Sequence, residues 1–140
     1  MSSDNAKPVP DVGDPYMGPF WEAARHHELV AQACVSCNSL RFPALPICPK
    51  CLETDSKWIP VSGEGTVWSF AIYHRAFHPG FTNDVPYVVA IVENTEGLHF
   101  PGNIVGDRSG LNVGAKVHVV FEEISAGVTL PRWVLTPSKG

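Results

Sequence analysis

Cys34-Val35-Ser36-Cys37 and Cys48-Pro49-Lys50-Cys51 contain all four cysteines of the chain, with ten residues between the two pairs. A tetrahedral zinc ion takes four thiolates at about 2.3 Å. Two residues between paired cysteines make a tight knuckle that points both sulfurs at one metal. The intervening residues 39–47 are long enough for a short hairpin that sets the second knuckle opposite the first. An iron ion of rubredoxin type suits the same ligand set. Disulfides are the competing reading, and they require an oxidising compartment. A closed four-sulfur site has no open coordination position, so it shapes a segment and does not activate water. Asn38 follows the first knuckle, where a left-handed backbone is common and Asn tolerates it.

On the N-terminal side, residues 1–18 read as a flexible lead punctuated by Pro8, Pro10, Gly13, Pro15 and Gly18. Pro19 then opens a predicted helix over residues 19–27, where its missing N–H has no partner to lose. Phe20 and Ala24 lie four apart with Trp21 beside them, an apolar stripe on a helix too short to stand alone. It must dock, either on its own domain or in a groove of a partner. Residues 29–33 predict a short strand running into Cys34.

On the C-terminal side the pattern is β. Strands are predicted over residues 66–75, 87–93, 99–105, 116–122 and 130–135, separated by Gly-rich and Pro-Gly turns. In the first of these, strict alternation puts Val67, Ser69, Ala71 and Tyr73 on one face and Trp68, Phe70, Ile72 and His74 on the other. Five strands in about eighty residues fit a small Greek-key barrel of the OB type. The expected fold is mainly β: a flexible lead and helical arm (1–28), a zinc ribbon (29–57) and a five-stranded OB barrel (58–140).

Charged residues make up 17% of the 140-residue chain, below the roughly 25% of an average soluble domain. Either part of the surface is covered by another protein, or the chain is simply loop-rich, with 12 glycines and 13 prolines. The formal net charge of −4 opposes a phosphate-backbone partner. Only Arg75, Arg108 and Lys116 supply Lys or Arg charge between Trp58 and Leu130. No apolar leader and no membrane-length run is present in the sequence, so the expected compartment is the cytoplasm, with no membrane and no nucleic acid as partner.

Catalytic motifs are missing: no GxSxG, HExxH, P-loop or GxGxxG occurs, and the metal claims every cysteine. The segment His74-Arg75-Ala76-Phe77-His78 mixes cation, imidazole and aromatic at the end of the longest strand. It reads as a ligand site or as a surface loop with Phe77 and Phe81 over the core. Arg41-Phe42 and Arg132-Trp133 are basic-aromatic pairs, each able to hold a phosphate or stack on a purine, or to be plain surface cations.

Taken in order, Phe20-Trp21, Leu29, the two knuckles, Arg41-Phe42-Pro43, Trp58, Gly63-x-Gly65-x-Val67, Pro86-Tyr87, Val92-Glu93, Gly97 and Gly114 form a pattern. It resembles the family of small acyl-CoA-associated proteins with an N-terminal helix, a rubredoxin-like zinc ribbon and a C-terminal OB-fold. The resemblance implies an accessory subunit that binds a thiolase-superfamily enzyme, either a lipid-transfer-like aldolase or a thiolase, as a heterotetramer. It implies catalysis by the thiolase-fold partner and a share in the acyl-CoA site for this chain. Retro-aldol cleavage of a hydroxyacyl-CoA from a steroid or related side chain fits that role. Within it, Arg41, Arg75 and His78 are the hypothesised CoA contacts, and Cys34, Cys37, Cys48 and Cys51 the ligands of a structural Zn2+, with iron as the alternative. Two other classes compete: a nucleic-acid module, since zinc ribbons and OB barrels both serve that purpose, and a free-standing acyl-CoA enzyme with His74 or His78 as base.

Overall fold

The structure, a computed structural model, describes residues 13–74 and 86–137. Most of the expected lead (residues 1–12) lies outside them, as does the segment 75–85. Within the described residues no helix is long and apolar enough to cross a membrane.

Helix α1 (Gly18–Arg25) starts with a proline in its first turn and buries Phe20 and Ala24. Its eight residues could not hold a helix in isolation. They are held by packing on the chain's own strands β8, β7 and β1. Docking on its own domain is therefore what the apolar stripe does. The helix ends where His27 turns left-handed at φ 61° and lays its ring on Phe121, with centroids 5.4 Å apart.

Three strands make the ribbon sheet, in the order β2-β1-β3: β1 (Val30–Cys34), β2 (Leu40–Arg41) and β3 (Ser56–Pro60). The central strand β1 is buried at every position. Strand β3 straddles residues 57 and 58, where the passage from ribbon to barrel is expected. It pairs with β1 from Val30↔Pro60 to Cys34↔Ser56.

The other five strands close a barrel in the order β4-β5-β6-β8-β7: β4 (Glu64–Tyr73), β5 (Tyr87–Asn94), β6 (His99–Ile104), β7 (Lys116–Ser125) and β8 (Val128–Leu135). Neighbours are antiparallel except β6 and β8, which meet in parallel at Ile104↔Trp133. Pairing of Gly65 with Val117 closes the ring. The last hairpin is longer than its apolar run suggests, because Gly127 at φ 76° permits a tight turn directly after Ser125.

Gly63-x-Gly65-x-Val67 is explained by this closure. A Cβ on Gly65 would fall 2.4 Å from the Glu93 carbonyl oxygen, and one on Gly63 would fall 2.5 Å from Val119 Cγ1. The motif lets β4 lie against β5 and β7 at once.

Strict alternation in β4 fails at one residue. Val67 pairs with Val92, but the next register pair is Ser69↔Ile91, so Trp68 is an extra, bulged residue. The bulge resets the phase. Val67 and Phe70 face the core, opposite Val92 and Ala90, while Ser69 and Ala71 face outward. Trp68 itself is 55% exposed.

One core runs through all the parts. Phe42 of the ribbon sits 4.9 Å from Phe20 of α1 and 4.4 Å from Phe100 of β6, centroid to centroid. Trp133 lies at the centre with no exposed surface, so close to β6 that a Cβ on Gly102 would approach its ring to 2.9 Å. Trp133→Ala is expected to destabilise the chain by about 3–5 kcal/mol through the cavity it leaves. Trp68→Ala, at an exposed site, should change stability by less than about 1 kcal/mol. Urea unfolding of both variants checks the contrast.

Candidate metal centre

The two knuckles are built alike. In the first, the Asn38 N–H donates to the Cys34 carbonyl (2.9 Å) and the Cys34 N–H to the Ser39 carbonyl (2.9 Å). In the second, the Leu52 N–H donates to the Cys48 carbonyl (2.8 Å) and the Cys48 N–H to the Glu53 carbonyl (2.9 Å). Each turn closes through a left-handed residue, Asn38 at φ 63° and Leu52 at φ 66°. Asn carries this conformation at little cost; a leucine does not.

The strand pairing of β1 with β2 and β3 brings the knuckles face to face. All four sulfurs lie within 4.8 Å of one another, with Cys34 and Cys51 Sγ at 3.4 Å and Cys37 and Cys48 Sγ at 3.7 Å. A regular tetrahedron of 2.3 Å metal–sulfur bonds has sulfur–sulfur edges of about 3.8 Å. The quartet therefore fits one tetrahedral ion, and its donor chemistry suits a soft or borderline metal. The structure brings Cys34, Cys37, Cys48 and Cys51 together in one cluster that could hold a metal ion.

Further donors surround the sulfurs. Ser39 Oγ lies 3.1 Å from Cys37 Sγ and 3.4 Å from Cys48 Sγ. Backbone N–H groups of Ser39, Lys50, Cys51 and Glu53 also point at the sulfurs. The Ser39 hydroxyl, and after it the backbone N–H of Cys51, hold the Cys48 thiol down at about 5. Ser39 lowers Cys37 in the same way. For Cys51 the Glu53 N–H pulls down, but Cys34, burial and the other two sulfurs together push it up to about 12. Four thiolates cannot crowd into one small site without a cation. Ser39 is a residue that sequence reading passed over. Its signal was its place two residues after Cys37, where a hydroxyl can reach the sulfur.

The remaining candidates are scattered. Arg41 is only 7% exposed; its Nη2 donates to the Leu45 carbonyl (3.2 Å), while Nε and Nη1 are buried without partners. Beside it, Gln32 accepts from the Leu45 N–H (2.9 Å) and donates to Ser56 Oγ (3.0 Å). The pair thus straps down the loop that leads to the second knuckle. Arg75 and His78 lie outside the described residues. The basic-aromatic pairs are not stacking platforms: Trp133 is fully buried and Phe42 is wedged between Phe20 and Phe100. Arg132 is engaged by Glu122 (2.8 Å to Nε) and by Asn103 Oδ1, which accepts from its Nη1 (3.0 Å).

The chain resembles known proteins along most of its length. The rubredoxin-like zinc ribbon domain of ChsH2 matches residues 21–56, and the C-terminal OB-fold domain of ChsH2 matches residues 58–122. A "Probable enoyl-CoA hydratase alpha subunit" of Thermomonospora curvata is 40% identical over 114 residues, covering 80% of this chain and 35% of that protein. A 3-oxo-4,17-pregnadiene-20-carboxyl-CoA hydratase alpha subunit of Mycobacterium tuberculosis is 32% identical over 117 residues, 83% of this chain and 35% of that one. The chain thus spans about a third of the length of these hydratase subunits. A DUF35 domain-containing scaffold protein of Methanocaldococcus jannaschii is 36% identical over 98 residues, 69% of each chain. Among solved structures, the chain superposes on one titled "Ltp2-ChsH2(DUF35) aldolase" with a TM-score of 0.81 and 34% identity, covering 92% of this chain and 98% of that one.

In the metal-free chain, thiolate absorbance at 240 nm should rise in separate steps, the first near pH 5 and the last near pH 12. The stability contributed by Cys48 is present above its ordinary value of 9.0 and is lost as pH falls toward 5. That of Cys51 is present below 9.0 and is lost as pH rises toward 12. A single step near 9 would show that the sulfurs are apart. Ser39→Ala should weaken metal binding about tenfold in chelator competition and delay the first step.

Proposed function

From the premise that the chain belongs to the ChsH2 (DUF35) family of zinc-ribbon and OB-fold proteins, we propose that it is the accessory subunit of a thiolase-superfamily enzyme, an aldolase or thiolase acting on acyl-CoA. The observation that carries this reading is the likeness over 98% of the ChsH2 chain in the Ltp2-ChsH2(DUF35) aldolase, at a TM-score of 0.81. The chemistry of this chain agrees. Its four cysteines are committed to one closed site, and such a site has no position for a reactive water.

The ion in that site is zinc. It would tie the knuckles and supply no step of the reaction. The assembly is a heterotetramer with the thiolase-fold protein, placed in the cytoplasm, where thiols stay reduced. Its reaction is retro-aldol cleavage of a β-hydroxyacyl-CoA with a steroid or related side chain. In that reaction the bond between the α and β carbons breaks. The β-hydroxyl loses its proton and becomes a carbonyl, and the thioester enolate left behind takes up a proton. The name of the M. tuberculosis relative, a hydratase subunit for a steroid acyl-CoA, supports this substrate class, because hydration of an enoyl-CoA supplies the β-hydroxyl that an aldol cleavage consumes. Arg75 and His78 remain the proposed CoA contacts. For Arg41 that role requires a change in the ribbon loop, given its burial.

The test uses the full chain carrying an affinity tag in its own cells. A thiolase-fold protein should co-purify with it. Each protein is then purified alone and the two are recombined. Carbonyl product should form from a β-hydroxyacyl-CoA only in the mixture, and metal analysis should give one zinc per chain. Turnover by this chain alone, or failure of any thiolase-fold protein to bind, would overturn the reading.

A further inference from the structure

The outer surface of the barrel is not uniform. Strand β7 faces outward with Lys116, Glu122 and Glu123 exposed. The outward positions of β4, β5 and β6 read differently. They include Ala71 of β4, Val89 and Ile91 of β5, and Pro101 of β6. An antiparallel sheet with one solvated face normally alternates apolar and polar residues. Here the outward row mixes these apolar residues with polar ones, among them Ser69, Glu93, His99 and Asn103. No lysine or arginine occurs in any of the three strands.

Trp68 completes this face. The bulge swings it outward, and its ring stacks on His99 with centroids 4.6 Å apart and planes 29° apart. His99 belongs to β6, so the indole of β4 reaches across β5. His99 Nε2 in turn lies 3.0 Å from Glu93 Oε2 on β5. A large, exposed aromatic is thereby fixed in one orientation by side chains from two other strands. Preorganised tryptophans of this kind are the commonest energetic centres of protein interfaces. Among the described residues, α1 packs on β8, β7 and β1, and the ribbon sheet is built on β1.

We infer that the outer face of β4, β5 and β6, centred on Trp68, is where the thiolase-fold subunit docks. The inference rests on the proposed function and adds the surface through which it is exercised. Three observations select that occupant. The similar ChsH2 chain occurs in a structure titled as a two-protein aldolase. The described residues of the three strands carry no Lys or Arg, which disfavours nucleic acid, since its phosphates call for such cations beside the stacking aromatics. The low charge of the chain suits a surface that is partly covered by protein.

The experiment takes the thiolase-fold protein that co-purifies with the tagged wild-type chain, identified by mass and then purified alone. Its affinity is measured by calorimetry for the wild-type chain and for Trp68→Ala, Ala71→Glu, Tyr16→Ala and Leu52→Ala. Trp68→Ala and Ala71→Glu should each weaken binding at least about tenfold, with unchanged melting temperature and metal content. Tyr16→Ala, at an exposed residue just before α1, should leave it unchanged. Ala71 is exposed, so its variant reads the face even if Trp68→Ala is less stable. Wild-type affinity in both face variants would overturn the docking surface and leave the proposed function standing. Loss of binding in Leu52→Ala alone would move the interface to the knuckles and overturn it likewise. A wild-type homodimer that Trp68→Ala dissolves, or tight binding of a single-stranded oligonucleotide by the wild type alone, would assign the face to another occupant. Absence of any thiolase-fold partner would remove the proposed function and this inference together.

Discussion

Convergence of four sulfurs within 4.8 Å ties together two turns that are separated along the chain by the whole Ser39–Ile47 stretch. Without a cation that arrangement opposes itself, since one thiol is driven up to about 12 while another is held near 5. With a cation it would fix the C-terminal end of β1, the turn into β2 and the start of the segment that returns as β3. Phe42 sits on that frame, and through Phe42 the ring stack reaches Phe20 on one side and Phe100 on the other. The helix, the ribbon and the barrel share one core because the metal site positions the piece that joins them.

The symmetry of the knuckles has an asymmetric consequence. Both close through a left-handed residue, but Asn38 suits that conformation and Leu52 does not. Leu52 is also 74% exposed. An apolar side chain held in an unfavourable backbone and in water contributes nothing to this chain taken alone. Trp68 is likewise exposed, and its ring contact is the stack on His99.

The metal ligands, the helix with its buried Phe20 and Ala24, and the five barrel strands were legible in the sequence because each rests on local rules. Two-residue spacing makes a knuckle, and alternation makes a half-buried strand. The family was legible too, from the order of its aromatic, cysteine and glycine signals. Alternation by itself counted through Trp68 and so placed Phe70 and Ile72 on the wrong side. A bulge is decided by the partner strand, which the local pattern does not contain. Arg41-Phe42 and Arg132-Trp133 looked like ligand-binding pairs for the same reason. Each aromatic was claimed by the core, Arg41 by the nearby Leu45 carbonyl, and Arg132 by Glu122 and Asn103 on neighbouring strands.

The sequence by itself determined the four-sulfur site, the mainly β architecture and the family, since these follow from residue types at fixed short spacings. Only the tertiary structure decided that the helix packs on its own barrel, that Ser39 attends the sulfurs, that Arg41 is buried, and that Trp68 stands outward over β5 against His99. Those facts depend on which residues meet across strands and loops distant in sequence. The physical reason is that contact energies are set by the three-dimensional register of the strands, and that register is a property of the closed barrel as a whole.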